Sequence, residues 1–451
     1  MYQAIIGYGI LAVMMLMILK KKATAAFCFA MLPVIGAVLC GFGAKDILGF
    51  VNKGETTMWK TAILFIFSVC YFSTMNDAGL FDPLVKALVK KAGNNVTMIM
   101  VATSLIAMVG HMDGASASTY LITIPVMLPI YKRMHLNPLV LLLLVGLSTG
   151  IMNLVPWGGP TIRAATAIGY DATQLWVEMI PMQIFGLLVS LVGAVLCGKM
   201  EKKRLVKEGY DLSQTSSEQE SGTADMDTSL ARPKLFWINL LLTIAVIAML
   251  VFTKITPFLI FMFGTLIALM INYPDMELQS KLLKKYSPSC IDLTVTLLCA
   301  GVFLGVFANA GIITKMAQVL INLLPAFLLR YLHLIMGVLG APIGMIMGPD
   351  PYYYAVMPLI IETVAPYGVT ATEVAHAMLI GENVALSVSP CVATTFLGVG
   401  LAGVELNDHI KFTFKWEWVS QHYYVGICRG CWYCVKEKLK CLGKRKLKFT
   451  A

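Results

Sequence analysis

The chain has 451 residues, of which 58% are hydrophobic and only 13% charged, with a formal charge of +10. A soluble globular domain carries about 25% charged residues, so this composition excludes an ordinary water-facing surface. The positive charge does not point to nucleic acid. Its basic residues sit in short clusters beside apolar runs: Lys20–Lys22, Lys86 with Lys90 and Lys91, Lys132-Arg133, Lys199 to Lys207, and Lys281 to Lys285. The positive-inside rule gives cytoplasmic loops that distribution.

Apolar runs at Ile5–Leu19, Ala25–Leu39, Met58–Phe72, Gln183–Val195, Leu235–Val251 and Ile255–Ile271 approach the length needed to cross a bilayer as helix. Period-2 alternation is absent, so the reading is an all-α polytopic membrane protein rather than a barrel. The first run is followed by lysines and further spans and has no small-residue cleavage site, so it reads as a first helix rather than a signal peptide. Of the 11 cysteines, seven are scattered singly as small hydrophobes, and Cys428, Cys431, Cys434 and Cys441 cluster near the end, where a metal site is a minor alternative.

Residues 199–231 are polar and rich in Ser, Glu and Gln, and read as a cytoplasmic linker between two similar halves. Ala78-Gly79-Leu80-Phe81 returns as Ala310-Gly311-Ile312-Ile313. Thr119-Tyr120 with Pro125 returns as Tyr352-Tyr353 with Pro358, and Pro156 with Thr161 returns as Pro390 with Thr395. The offset stays near about 232–234 residues, as an internal repeat requires. The expected organisation is a first repeat over 1–198, a linker over 199–233, a second repeat over 234–415 and an atypical basic tail over 416–451.

The basic clusters set the topology. Lys20–Lys22 inside places the N-terminus outside. Val96 to Ile130 is apolar yet flanked by basic residues at both ends, so it enters and leaves on one side as a re-entrant hairpin with its tip at Gly110 to Gly114. Leu139 to Ile168 is broken at Asn153–Pro160. An odd number of crossings per half makes the repeats inverted. In the second half the hairpin tip falls at Gly348-Pro349-Asp350-Pro351 and the break at Ser387–Pro390.

Unwound backbone at membrane depth is tolerated where protein or a watery cavity surrounds it. Half-helices starting at such breaks aim free N–H groups into that cavity. The candidate substrate-binding set is therefore Ser116, Ser118 and Thr119 after the first tip, Asn153, Pro156, Gly158, Gly159, Thr161 and Arg163 at the first break, and Ser387, Ser389, Pro390, Thr394 and Thr395 at the second. The competing reading is that these are kinks with back-bonded hydroxyls. Asp113 and Asp350 are costly at membrane depth. Each either binds a metal or proton or caps the helix that follows. His111 is a candidate proton carrier or a structural residue. Arg163 either holds a substrate carboxylate or satisfies carbonyls. Asn76-Asp77 is expected to cap a helix end.

Three first-half motifs, Asp77-Ala-Gly-Leu-Phe-Asp-Pro83, Gly110-His-Met-Asp-Gly-Ala-Ser-Ala-Ser-Thr-Tyr120 and Met152-Asn-Leu-Val-Pro-Trp-Gly-Gly-Pro-Thr161, resemble the bacterial metal–citrate:proton symporters. Gly348-Pro-Asp-Pro-Tyr-Tyr and Ser387-Val-Ser-Pro390 resemble them too, and the likeness covers about residues 1–420. It implies an ion-transporter fold of scaffold and transport parts moving as an elevator. The implied substrate is citrate complexed with Mg²⁺ or Ca²⁺, coupled to protons, carried by a homodimer without permanent cofactor or enzymatic activity. Both tips depart from the family pattern, and from Trp416 the chain lacks the family's last apolar span. The tail is therefore expected to stay at the cytoplasmic surface. Rival readings are a dicarboxylate carrier or a cation–proton antiporter of the same fold and, remotely, an aspartyl protease using Asp113 and Asp350.

Overall fold

A computed structural model describes residues 1–20, 22–210, 228–253, 255–390 and 392–422. The centre of the linker and the four clustered cysteines lie outside the described residues. In chain order the helices are α1 (Tyr2–Leu19), α2 (Ala25–Leu39), α3 (Ala44–Asp77), α4 (Asp82–Ala92), α5 (Val96–Gly110), α6 (Ser116–Arg133), α7 (Pro138–Met152), α8 (Gly159–Ala167), α9 (Ala172–Lys207), α10 (Phe236–Phe252), α11 (Pro257–Asn272), α12 (Met276–Asn309), α13 (Ile312–Leu323), α14 (Ala326–Arg330), α15 (Leu332–Met347), α16 (Pro349–Pro351), α17 (Met357–Val364), α18 (Ala371–Asn383), α19 (Ala393–Ala402) and α20 over 406–422. A π-helical turn, Tyr352–Val356, joins α16 to α17. The helices recur in order: α2 with α11, α3 with α12, α7 with α18, α8 with α19 and α9 with α20 begin about 232–234 residues apart.

Each repeat holds a re-entrant hairpin and a broken helix. The first hairpin is α5 and α6, turned by a 3₁₀ turn over His111–Asp113 and by Gly114 at φ 72°. The second is α15 and α17, turned at Gly348. The breaks separate α7 from α8 and α18 from α19.

Between the halves run α3 and α12, each 34 residues long. At about 1.5 Å per residue each measures about 50 Å, well beyond a hydrocarbon core of about 30 Å. Hydropathy singled out only Met58–Phe72 of α3, because its first half carries Lys45, Asp46, Lys53 and Glu55. That half packs on α12 so closely that a Cβ on Gly54 would lie 2.0 Å from the Gly301 carbonyl oxygen. Asp77 does not act as the expected cap. Its Oδ2 accepts from Lys285 Nζ and Tyr286 Oη, both at 2.7 Å, tying α3 to α12.

The linker and tail differ from expectation at their edges. Helix α9 continues through Lys207, inside the segment read as linker, because its last turns pack Glu201 under the Asn137 N–H at 2.9 Å. Beyond the undescribed stretch, Arg232 N–H donates to the Ala78 carbonyl at 2.9 Å and docks the incoming chain. Helix α20 crosses the boundary drawn at 416 and carries Glu417 at 1% exposure. It stands where α9 begins in the first repeat, so the second repeat does start a closing helix. Its polar residues His409, Thr413, Glu417 and Gln421 recur every four residues, share one face and turn inward together. A hydropathy sum counts them as obstacles to a span, whereas polar partners such as the Ser387 hydroxyl and the Gly337 carbonyl offset part of that cost.

Candidate transport site

Built upward from the first tip, His111 is the central side chain. It is fully buried, with Nε2 2.9 Å from Asn153 Oδ1 and Nδ1 2.7 Å from Thr119 Oγ1. The carboxamide oxygen accepts from Nε2–H, which fixes the ring orientation. The Thr119 hydroxyl has two options, since the Ala115 carbonyl lies 3.1 Å away. Donating to Nδ1, it serves a neutral ring. Donating to Ala115, it leaves its lone pairs to a second ring N–H, so the same geometry accommodates an imidazolium. A second tie joins the same parts, as Trp157 Nε1–H donates to the Met112 carbonyl at 2.8 Å while its ring stacks on Phe72.

Asp113 is engaged in the turn that precedes α6. Its Oδ1 accepts from the Ala115 N–H at 2.8 Å and its Oδ2 from the Ser118 hydroxyl, at the start of α6. Asp113 thus closes an Asx-type turn ahead of α6, whose N-cap is Ala115 and whose first N–H groups receive no side-chain cap, so the expected capping role is not the one the structure shows. Ser116 begins α6 beside this group.

The first break, 153–158, follows the end of α7. Thr161 Oγ1–H donates back to the Asn153 carbonyl at 3.0 Å. Pro156 is buried within the turn. Gly158 is required by close approach, because a Cβ there would lie 2.3 Å from the Asn153 carbonyl oxygen. Gly159 opens α8, whose Arg163 reaches the second repeat: Nε–H donates to Asp350 Oδ1 at 2.7 Å. Both side chains are largely buried, at 12% and 20% exposure. Arg163 thus takes a role the sequence did not foresee, holding a protein carboxylate at the second tip. Asp350 correspondingly faces a cation.

The second break starts earlier than expected. Helix α18 ends at Asn383, before the position of Leu386 that matches Asn153 after α7, and the chain resumes as α-helix at Ala393. Ser387 lies within this break. Its hydroxyl donates to Glu417 on α20, and its carbonyl accepts from His409 Nε2 at 3.0 Å. Ser389 donates to the Met345 carbonyl at 2.9 Å, joining the break to α15 of the second hairpin. Thr395 Oγ1–H donates to the Leu386 carbonyl at 3.3 Å, the counterpart of Thr161 on Asn153. Pro390 is exposed and Thr394 half-buried.

The four broken segments therefore form one chain of contacts. The first tip meets the first break, that break's half-helix meets the second tip, and the second hairpin meets the second break. Sequence reasoning missed three buried polar residues that join this set: Glu382, Asn383 and Glu417. Local signals existed only for the first two, whose Gly-Glu-Asn run follows an apolar helix. A cavity of about 460 Å³ opens at the second tip, lined by Lys22, Thr24, Gly348 and Asp350 among others, a volume suited to a small molecule. Of the expected site residues, Asp350 alone lines it. Among the described residues, no group of three or more His, Cys, Asp or Glu is placed to hold a metal ion. Asp113 and Asp350 engage different partners and share no proton, unlike a protease dyad.

Comparison with known proteins agrees with this architecture. Residues 10–381 match the family described as citrate transporter. The chain belongs to that family. A citrate transporter of Bacillus subtilis is 35% identical over 92% of this chain and 95% of the relative. A Mg(2+)/citrate complex secondary transporter of the same bacterium is 34% identical over 92% and 94%. Among solved structures, the Alcanivorax borkumensis YdaH transporter aligns with TM-score 0.58 at 14% identity, over 87% of this chain and 88% of that one, a likeness of fold. This member of the citrate transporter family is thus an all-α multi-pass membrane protein with inverted repeats.

Proposed function

We propose that this protein imports citrate as a complex with a divalent cation, Mg²⁺ or Ca²⁺, in symport with protons, and that the metal is cargo rather than resident cofactor. The observation that carries the reading is the charge balance of the polar core. Its arginine, Arg163, is already held by Asp350, and Glu382 and Glu417 add buried carboxyls. A bare citrate trianion fits such a site poorly. A divalent cation reduces the complex to one negative charge, which half-helix N–H groups and hydroxyls can hold. The two relatives' names support the same substrate.

Bringing one negative charge inward against about 100 mV costs about 2.3 kcal/mol. More than one proton must therefore accompany each complex for the potential to favour uptake. His111 is the first-repeat candidate to carry one, because Thr119 can serve either of its charge states. The same reading places the N-terminus outside, the linker in the cytoplasm and two copies in a dimer, with no catalysed reaction. The test is uptake of radiolabelled citrate into proteoliposomes. Uptake should require Mg²⁺ or Ca²⁺ and vanish with chelator. Equal uptake in chelator would favour a simple carboxylate carrier, and no citrate uptake with cation-driven proton release would favour an antiporter.

A further inference from the structure

The second repeat holds a titratable group that none of the residues discussed above replaces. Glu382 is the penultimate residue of α18, immediately before the break, and is fully buried. Its Oε2 accepts one bond, from Tyr353 Oη–H at 3.0 Å, while Oε1 is buried with no hydrogen-bond partner. The next residue, Asn383, has both amide atoms buried without a partner. A glycine on α15 makes room for this arrangement, since a Cβ on Gly344 would lie 2.6 Å from Glu382 Cγ. Three unsatisfied polar atoms on two consecutive residues at a helix break are expensive unless something visits them.

The charges facing Glu382 come from every neighbouring element. Helix α8 brings Arg163, α16 brings Asp350, and the π turn brings Tyr352 and Tyr353. Helix α20 packs Gln421 against Gly381 and Glu417 against Ser387. Among these groups the guanidinium of Arg163 is the one cation, and Asp350 neutralises it. An ionised Glu382 would leave the cluster with an uncompensated negative charge supported by one hydroxyl donor. An anionic cargo arriving beside it would add a second, and the repulsion favours taking up a proton at the same moment.

We infer that Glu382 is a coupling carboxyl of the second repeat: it binds a co-transported proton at the bare Oε1 when the metal–citrate complex engages Asn383 and the break, and releases it when the complex leaves. Proton binding converts the carboxylate to a carboxylic acid and forms no other bond. The inference rests on the proposed symport, and the experiment separates the two. In proteoliposomes, wild-type protein is first assayed for Mg²⁺–citrate uptake and for exchange of internal against external complex. Failure of both in wild type overturns the symport itself. Glu382→Gln keeps shape and the Tyr353 bond but cannot titrate. It should retain exchange, and under an imposed gradient of about one pH unit it should lose about tenfold in steady-state accumulation, one proton's worth. Wild-type accumulation in the variant overturns the inference. Should the variant fail to fold, substrate-induced infrared difference spectra of the wild type give the answer. A carboxylic-acid band must appear on adding Mg²⁺–citrate and must shift in Tyr353→Phe, which removes the Oε2 donor. Absence of the band, or a band insensitive to that change, also overturns it.

Discussion

Replacing Asn153 by Ala strikes the joint between the first hairpin and the first break. Asn153 is 2% exposed and its Oδ1 is the partner of His111 Nε2 at 2.9 Å, with the ring itself fully buried. Alanine removes the acceptor and leaves a buried ring N–H without a partner, which costs about 1–3 kcal/mol. The small void beside the ring adds to that, while the backbone of the break is preserved because Thr161 still donates to the residue-153 carbonyl. Unfolding titrated with denaturing detergent should show a loss in that range. The KM for Mg²⁺–citrate should rise, since the tip and break no longer hold a common geometry. Thr119→Val, which strips the other ring nitrogen of its partner, should behave alike and add less than its full effect to Asn153→Ala, because both act through one ring. A loss below about 0.5 kcal/mol with unchanged KM would refute the assignment of His111 as the joint.

Arg163→Gln should destabilise by the lower part of about 3–5 kcal/mol, because it strands Asp350, and Arg163→Gln with Asp350→Asn should regain much of it; thermal shifts of the four purified forms report this coupling. Glu417→Leu should cost about 1–3 kcal/mol by leaving the Ser387 hydroxyl unpaired, while Glu417→Gln keeps a partner and costs less, and equal stability of both variants would mean that α20 contributes no polar support. A single cysteine introduced at position 215 should react with a membrane-impermeant thiol reagent only from the cytoplasmic side; labelling from outside alone would reverse the topology drawn from Lys20–Lys22 and its companion clusters.

The turning points of the fold were legible because their causes are local. Gly110 to Gly114, Asn153 to Pro160 and Gly348 to Pro351 each announce a break within a few residues, and all three fall where the chain turns or unwinds. The repeat was legible because equivalent breaks recur at a constant offset. The partnerships were not. Arg163 and Asp350 stand in different repeats, and nothing near either residue names the other. Hydropathy made Glu417 an obstacle to a span, because the sequence does not display the hydroxyl of Ser387 that receives it. Glu382 was passed over for a related reason: one glutamate at the end of an apolar helix resembles an ordinary helix end until its burial and its bare oxygen are known.

The central claim is that one complex of citrate and metal crosses together with protons. Its most direct test follows radiolabelled citrate, radiolabelled Ca²⁺ or Mg²⁺, and internal pH in the same proteoliposomes. Citrate and metal should enter in equal amounts, with the lumen acidifying by more than one proton per complex. Citrate entering while the metal stays outside, or a lumen whose pH does not move, would contradict the account.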